Sequence, residues 1–338
     1  MSVVLLYLFF RTVDGSAIVA ALADVSLLPL LPAMAIYFLG VWLRAVRWKR
    51  LMAPFAEVPT LRLFRVIVIG FAVNNLLPFR LGEVVRTFLL RHSNGVPVAA
   101  TVASILLERV LDVVVLCGLL TLVAILVPLD GWLAALAGFA AVVMLGATLG
   151  VLGLALAPRS WVRATLVLVL RMARRVSARL AHVVQSFLSG IGALRTVGDA
   201  VTIGALSVGC WLGELGLYYF VMLAFGFDSG ILSLIAGMVA ANLATVLPSS
   251  PGYVGTFDVP LQSTLSDSFG VNAAVATGYT LLAHALLFVP VVLLGLALLG
   301  REDLSLRALG SGRLRSKSAS PAAARSGRAL SENDGVWV

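Results

Sequence analysis

Leu63 to Arg91, LFRVIVIGFAVNNLLPFRLGEVVRTFLLR, opens with an apolar run, Leu63 to Leu77, that either crosses a membrane or turns back inside it. The run is followed by Pro78-Phe79-Arg80-Leu81-Gly82 and by the mixed stretch Glu83 to Arg91. A helical crossing takes roughly 20 apolar residues, more than Leu63 to Leu77 supplies. The neighbouring segments resolve the choice. Arg44, Arg47, Lys49, Arg50, Arg62 and Arg65 cluster before or at its start, whereas Pro128 to Gly131, after the long apolar run Thr101 to Val127, has no Lys or Arg. Basic loops stay cytoplasmic, so Thr101 to Val127 starts inside and ends outside. Leu63 to Leu77 must then begin and finish on the cytoplasmic side, turning at Pro78 to Gly82 and returning along Glu83 to Arg91.

The whole chain calls for such a setting. Of its 338 residues, 60% are hydrophobic and 12% charged, about half the charged share of a soluble domain. Mean hydropathy is +1.04. No segment alternates like a barrel strand, which leaves a helical bundle as the spanning architecture. Leu27 to Val46, Thr101 to Val127, Trp132 to Ala157, Val201 to Phe225 and Asn272 to Leu299 read as five full spans. Met1 to Phe10 is apolar but too short to cross, and reads as the back half of a helix that begins upstream. The net charge of +9 lies mostly in short loops and the tail, the signature of topology rather than of nucleic-acid binding.

The second half repeats the first upside down. Arg159, Arg163, Arg171, Arg174, Arg175, Arg179 and Arg195 place the long central loop inside, and Gly226 to Gly230 is bare of Lys and Arg. The tail, with Arg301, Arg307, Arg313, Arg315, Lys317, Arg325 and Arg328, is also inside. The last span must start outside, so Ile231 to Leu247 enters from there, turns at Pro248 to Gly255, and returns. The expected fold is an all-α polytopic membrane protein of inverted repeats, with two re-entrant helical hairpins entering from opposite sides. Residues 1–300 form the membrane domain. Residues 301–338, rich in Ser, Ala, Gly and Arg, form a disordered cytoplasmic tail against anionic lipid.

The two turns resemble each other. Pro78-x-x-x-Gly82 matches Pro251-x-x-x-Gly255; a carboxylate follows each, Glu83 and Asp258; asparagines precede each, Asn74 and Asn75 in one and Asn242 in the other. Leu106-Leu107-Glu108-Arg109 aligns with Leu281-Leu282-Ala283-His284 at nearly the same offset. Inverted repeats with broken helices meeting near the midplane characterise many secondary transporters. Irregular backbone at that depth must be buried or line a wet cavity. A half-helix starting after each turn presents free N–H groups and a positive dipole end, an anion site. Arg80 and Arg86 add guanidinium groups suited to phosphate, and Glu83 either orients one of them or carries a proton.

The candidate substrate-binding set is therefore Asn74, Asn75, Pro78, Arg80, Gly82, Glu83, Arg86, Asn242, Pro251, Gly252, Gly255 and Asp258. Glu108, Arg109, Asp112, Glu214 and His284 join it as ionisable groups inside apolar runs. Each has a plainer reading: Arg109 and Asp112 can pair along one helix face, Glu214 has no evident partner, and His284 fits a packing histidine as well as a proton carrier. Arg44, Arg47, Lys49 and Arg50 are expected to anchor a helix end to headgroups. Cys117 and Cys210 lie in apolar segments as small hydrophobes. No metal or cofactor is expected.

Asn74-Asn75-Leu76-Leu77-Pro78-Phe79-Arg80-Leu81-Gly82-Glu83-Val84-Val85-Arg86 resembles the first signature of the flippase-like membrane domain of lysylphosphatidylglycerol synthases. Pro248-Ser249-Ser250-Pro251-Gly252-Tyr253-Val254-Gly255-Thr256-Phe257-Asp258 resembles the second, and Arg44-Ala45-Val46-Arg47-Trp48 and Leu107-Glu108-Arg109-Val110-Leu111-Asp112 also fit. The similarity runs from Met1 to about Leu299. It departs at Asp258, where the family commonly has Glu, at Tyr253, where Gly is usual, and at Ala283-His284, where Tyr-Arg is common; the last resembles the hopanoid-associated branch. No synthase domain follows within the chain.

The resemblance implies a flippase or transporter that moves an anionic or phosphate-bearing lipid, or a lipid-linked headgroup, between leaflets. ATP does not drive it, since Lys49 and Lys317 are the only lysines and neither follows glycine as a phosphate loop requires. The chain is expected not to be an enzyme; a membrane-embedded glycosyl- or phosphotransferase, or a non-catalytic partner of a lipid-modifying enzyme, is the alternative. Its expected place is the bacterial inner membrane, multi-pass, with the C-terminus cytoplasmic and membrane lipids as partners.

Overall fold

The computed structural model describes residues 15–77, 80–156, 168, 171–190, 196–246 and 251–302. The expected N-terminal half-helix, the basic tail, Pro78, Phe79 and 248–250 lie outside the described residues. Among the described residues the regular elements are all helical: α1 (Gly15–Ala23), α2 (Leu30–Met52), α3 (Thr60–Leu76), α4 (Leu81–Asn94), α5 (Val98–Leu126), α6 (Gly131–Leu156), α7 (Ala178–Gly190), α8 (Val197–Phe225), α9 (Ile231–Ala244), α10 (Asp258–Ser263) and α11 (Ala273–Leu299). Five of them, α2, α5, α6, α8 and α11, are long and apolar enough to cross a bilayer. Prolines sit immediately before α2, α3 and α5, where a missing N–H costs nothing.

Two expectations need correction. α2 continues past Val46 to Met52, which draws Arg44 and Arg47 into the helix interior instead of leaving them at its end. The central loop is not wholly irregular: α7 forms inside it and packs against α5.

α2 and α8 form the centre, running antiparallel with their backbones nearly touching. A Cβ on Gly213 would stand 2.7 Å from the Gly40 Cα, and Gly216 faces Ile36 one turn along. Small residues allow this approach in membranes, where close packing replaces the hydrophobic drive between helices. α11 is fastened to both: Tyr37 Oη donates to the Leu287 carbonyl at 3.1 Å, and Tyr279 Oη to the Tyr218 carbonyl at 2.9 Å.

α3 and α4 fold against each other as an antiparallel pair. The Gly82 N–H donates to Asn74 Oδ1 at 2.7 Å, and a turn further from the bend the Arg86 stem covers Gly70. Gly82 lies so close to the Gly70 carbonyl that no larger residue fits there. The two helices have 17 and 14 residues, about 25 and 21 Å at 1.5 Å per residue, against a hydrocarbon core of about 30 Å. α9 is likewise short, at 14 residues. Beyond it the chain passes through a tight turn, Pro251–Tyr253, into α10 and a wider π turn, Thr264–Ser268.

Candidate functional site

Arg44 and Arg47 project from one face of α2, one turn apart, into a buried ion network. Arg44 Nη2 donates to Glu214 Oε2 at 3.1 Å, and its Nη1 lies 3.8 Å from Asp112 Oδ2. Arg47, 0% exposed, donates to Asp112 Oδ1 at 2.7 Å and to Ser207 Oγ at 3.2 Å. Arg86, 1% exposed, donates to both oxygens of Glu108, at 2.9 and 3.4 Å, and stacks 4.0 Å over the Trp48 ring. Arg109 completes the set, 2.8 Å from Glu108 and 3.7 Å from Asp112. Guanidinium groups inside a bundle require such partners, because an unpaired buried charge is prohibitive.

The network overturns several sequence expectations. Arg44 and Arg47 do not reach headgroups, since the acids of α5 and α8 hold them inward. Arg86 is no phosphate ligand: both ends of its fork are committed to Glu108. Glu83 orients neither arginine. Although Glu83 and Arg86 are three apart on α4, the guanidinium turns inward to α5. Among the described residues the Glu83 carboxylate has no hydrogen bond or ion pair, and its Oε2 is buried. Glu214, for which the sequence offered no partner, pairs with Arg44 and accepts from Asn242 Nδ2 at 2.8 Å.

In front of the network the two turns meet. Arg80 Nη2 donates to the Thr245 carbonyl at 2.7 Å, and Gly252 sits beside the Asn75 carbonyl. Arg80 (φ 51) and Tyr253 (φ 57) are the two non-glycine residues with positive φ among the described residues. Each stands two places after the first proline of its Pro-x-x-x-Gly motif, and the phenol lies within hydrogen-bonding reach of the guanidinium. A left-handed backbone at bulky residues costs on the order of 1–3 kcal/mol and clusters at functional sites.

Between the turns and the network lies a cavity of about 150 Å³. Its polar wall is Arg44, Arg80, Arg109, Glu83, Glu214 and Asn242, with Asn74, Asn75 and Thr245. Its apolar wall is aromatic: Tyr37, Phe71, Trp211, Tyr253, Phe257 and Phe288. Three guanidinium groups face two carboxylates, leaving one positive charge in excess. Among the described residues the Trp211 indole N–H, like Glu83 Oε2, is buried without a partner. Unpaired buried polar atoms facing a cavity mark places for a polar ligand.

Of the candidates, Asn74, Asn75, Arg80, Glu83, Arg109, Glu214 and Asn242 line this cavity. Arg86, Glu108 and Asp112 stand behind it in the ion network, and Gly82 serves backbone packing. Pro251 is exposed and outside the cavity wall. The anion site expected at the half-helix starts is partly closed: Asn74 takes the Gly82 N–H, and Asp258 Oδ2 takes the Gly255 N–H at 2.8 Å. His284 bridges Asp258 Oδ1, at 2.6 Å, and the Gly252 carbonyl, at 2.9 Å. The residues missed were Arg47 of the network and, in the cavity wall, Tyr37, Arg44, Phe71, Trp211, Thr245, Tyr253, Phe257, Leu287, Phe288 and Val291. A helical period was legible in α2, where Tyr37, Val41, Arg44, Trp48 and Leu51 recur on one face.

Comparison with known proteins agrees with this architecture. The family described as Lysylphosphatidylglycerol synthase TM region matches residues 1–295. Two membrane proteins of Methanothermobacter thermautotrophicus, both named UPF0104 membrane protein, are 28% identical over 251 residues (69% of this chain, 71% of the relative) and 25% identical over 282 (79% and 83%). A Haloferax volcanii protein named Glycosyltransferase AglD is 26% identical over 315 residues, 84% of this chain and 50% of that one. This chain thus spans about half the length of that relative. The expectation that the chain is not an enzyme is corrected here, because a relative carrying an enzyme's name matches most of it.

Proposed function

The chain belongs to the lysylphosphatidylglycerol synthase transmembrane-region family, and from that premise we propose that its cavity receives the headgroup of a membrane lipid or lipid-linked substrate, anionic or phosphate-bearing, and moves it between leaflets. The observation that carries this reading is the cavity at the junction of the two turns, with three guanidinium groups against two carboxylates. Arginine presents a planar fork matched to phosphate oxygens, and the aromatic wall suits the carbons of a headgroup. The apolar outer faces of the spans, α6 above all, leave a hydrocarbon surface for the tails.

Several features support re-entrant, inverted hairpins. α3, α4 and α9 fall short of a full crossing, and Arg80 and Tyr253 occupy matching motif positions with the same backbone conformation. The antiparallel course of α2 and α8 agrees with the loop charges, which put the basic loops and the C-terminus in the cytoplasm. In proteoliposomes, headgroup-labelled phospholipid should cross leaflets with the wild-type protein, and the doubly substituted Arg80→Ala/Arg109→Ala protein should lose that movement. Equal rates from both, in monodisperse protein, would remove the cavity from the mechanism.

A second reading is carried by the similarity to the protein named glycosyltransferase: group transfer onto a lipid-linked acceptor in the same cavity, with Glu83 as general base. Mass spectrometry of lipid extracts after incubation with activated sugar separates the two. A new glycolipid without leaflet movement would favour transfer; movement of unchanged lipid would favour translocation.

A further inference from the structure

His284 has both ring nitrogens engaged, and hydrogen-bond accounting fixes how many protons that takes. Nε2 lies 2.9 Å from the Gly252 carbonyl oxygen, which only accepts, so Nε2 carries hydrogen. Nδ1 lies 2.6 Å from Asp258 Oδ1. An ionised carboxylate also only accepts, so this contact needs a second hydrogen, on Nδ1 or on the carboxyl itself. The pair therefore holds one proton more than a neutral imidazole beside an ionised carboxylate. The other carboxyl oxygen, Oδ2, accepts from the Gly255 N–H and leaves that count unchanged.

Building on the headgroup reading of the cavity, we infer that His284 and Asp258 form a proton-binding site whose single proton latches the second turn against the cavity. Once it leaves for water, one imidazole hydrogen remains, and it serves either Gly252 or Asp258. Releasing Gly252 frees the carbonyl next to Tyr253, a cavity-wall residue in a left-handed backbone. Binding of the proton is thereby tied to the shape of the wall facing Arg80.

The surroundings suit a localised proton. Phe257 and Phe288 flank the imidazole, with ring centroids 4.9 and 4.2 Å away. Asp258 faces it from α10, and Tyr253 approaches from the turn. On the α8 side the titratable groups are Tyr218, coupled electrostatically to Asp258, and Glu214. Across the cavity stand Arg44 of α2, Arg80 and Glu83 of α4, and Arg109 of α5.

The test reads the proton directly. In purified protein carrying His92→Gln and His182→Gln, nitrogen NMR of the remaining imidazole should show a single deprotonation step as pH is raised. Val254→Cys, with Cys117 and Cys210 replaced by serine, should react with maleimide about fivefold or more faster above that step than the same substitution does in His284→Gln, which removes the thiol's own pH dependence from the comparison. Both midpoints should move together in Asp258→Asn. In proteoliposomes, lipid movement should vary with pH in the wild-type protein and lie flat in His284→Gln. A ring that stays singly protonated throughout, or that titrates while labelling stays constant, overturns the inference. A wild-type protein that moves no lipid at any pH would instead strike the headgroup reading, leaving the imidazole and labelling results to decide the latch.

Discussion

Replacing Arg86 with Met tests its assignment as a buried strut rather than a phosphate ligand. Truncating one member of a buried ion pair costs about 3–5 kcal/mol, because the other is left charged in a low dielectric. Glu108 would keep Arg109 at 2.8 Å and Arg47 at 4.0 Å, which puts the loss near the lower end. Removing the stack on Trp48 adds roughly 0.5–2 kcal/mol, while Met preserves the hydrocarbon stem over Gly70. The expected total is about 4 kcal/mol, close to a thousandfold in the unfolding equilibrium at 1.4 kcal/mol per tenfold. Equilibrium unfolding in mixed micelles should register that shift, and headgroup binding by the folded fraction should persist. Adding Glu108→Gln should destabilise by about 0.5–3 kcal/mol less than the two single losses summed, since the residues are in contact. Wild-type stability with binding abolished would refute the reasoning and return Arg86 to the ligand site.

Arg80→Gly, free of the positive-φ cost, should be about 1 kcal/mol more stable than Arg80→Ala, and both should lower lipid movement; retained movement in proteoliposomes would show that the guanidinium is idle. Gly213→Ala, with its methyl aimed at the Gly40 Cα, should destabilise by about 1–3 kcal/mol through overpacking; an unchanged unfolding curve would contradict the close helix crossing. Asp130→Cys and Asp228→Cys, in protein lacking Cys117 and Cys210, should label from outside intact cells, and Arg175→Cys should not. Labelling of 130 and 228 from opposite faces would dismantle the topology.

The spans were legible because bilayer thickness imposes a length that any apolar run displays. Thr101 to Val127 and Val201 to Phe225 became α5 and α8 with small shifts at their starts, and the short apolar runs became α3 and α9. The site was legible at the turns, where Pro, Gly and Asn mark broken helix and Arg80 and Glu83 stand conspicuous in apolar sequence. Pairing was hidden. Asp112 lies 65 positions from Arg47, and Glu214 lies 170 from Arg44, so nothing local distinguished these arginines from the exposed Lys49 and Arg50. Charge at the end of a span suggests headgroups. Only the approach of α5 and α8 turns two of those charges inward.

The glycine crossing divides the protein mechanically. Helices whose backbones meet at Gly40 and Gly213 cannot slide or roll past each other without driving atoms together. Arg44 and Glu214, mounted on that crossing, belong to a stator that holds the floor of the cavity at fixed spacing. Among the described residues the turns above it are held by bonds such as Arg80 to Thr245 and His284 to Gly252, each worth about 0.5–3 kcal/mol net. Thermal energy breaks such joints readily and leaves the crossing intact. Any stroke that carries a headgroup past this cavity therefore belongs to the turns, with the floor as its fulcrum.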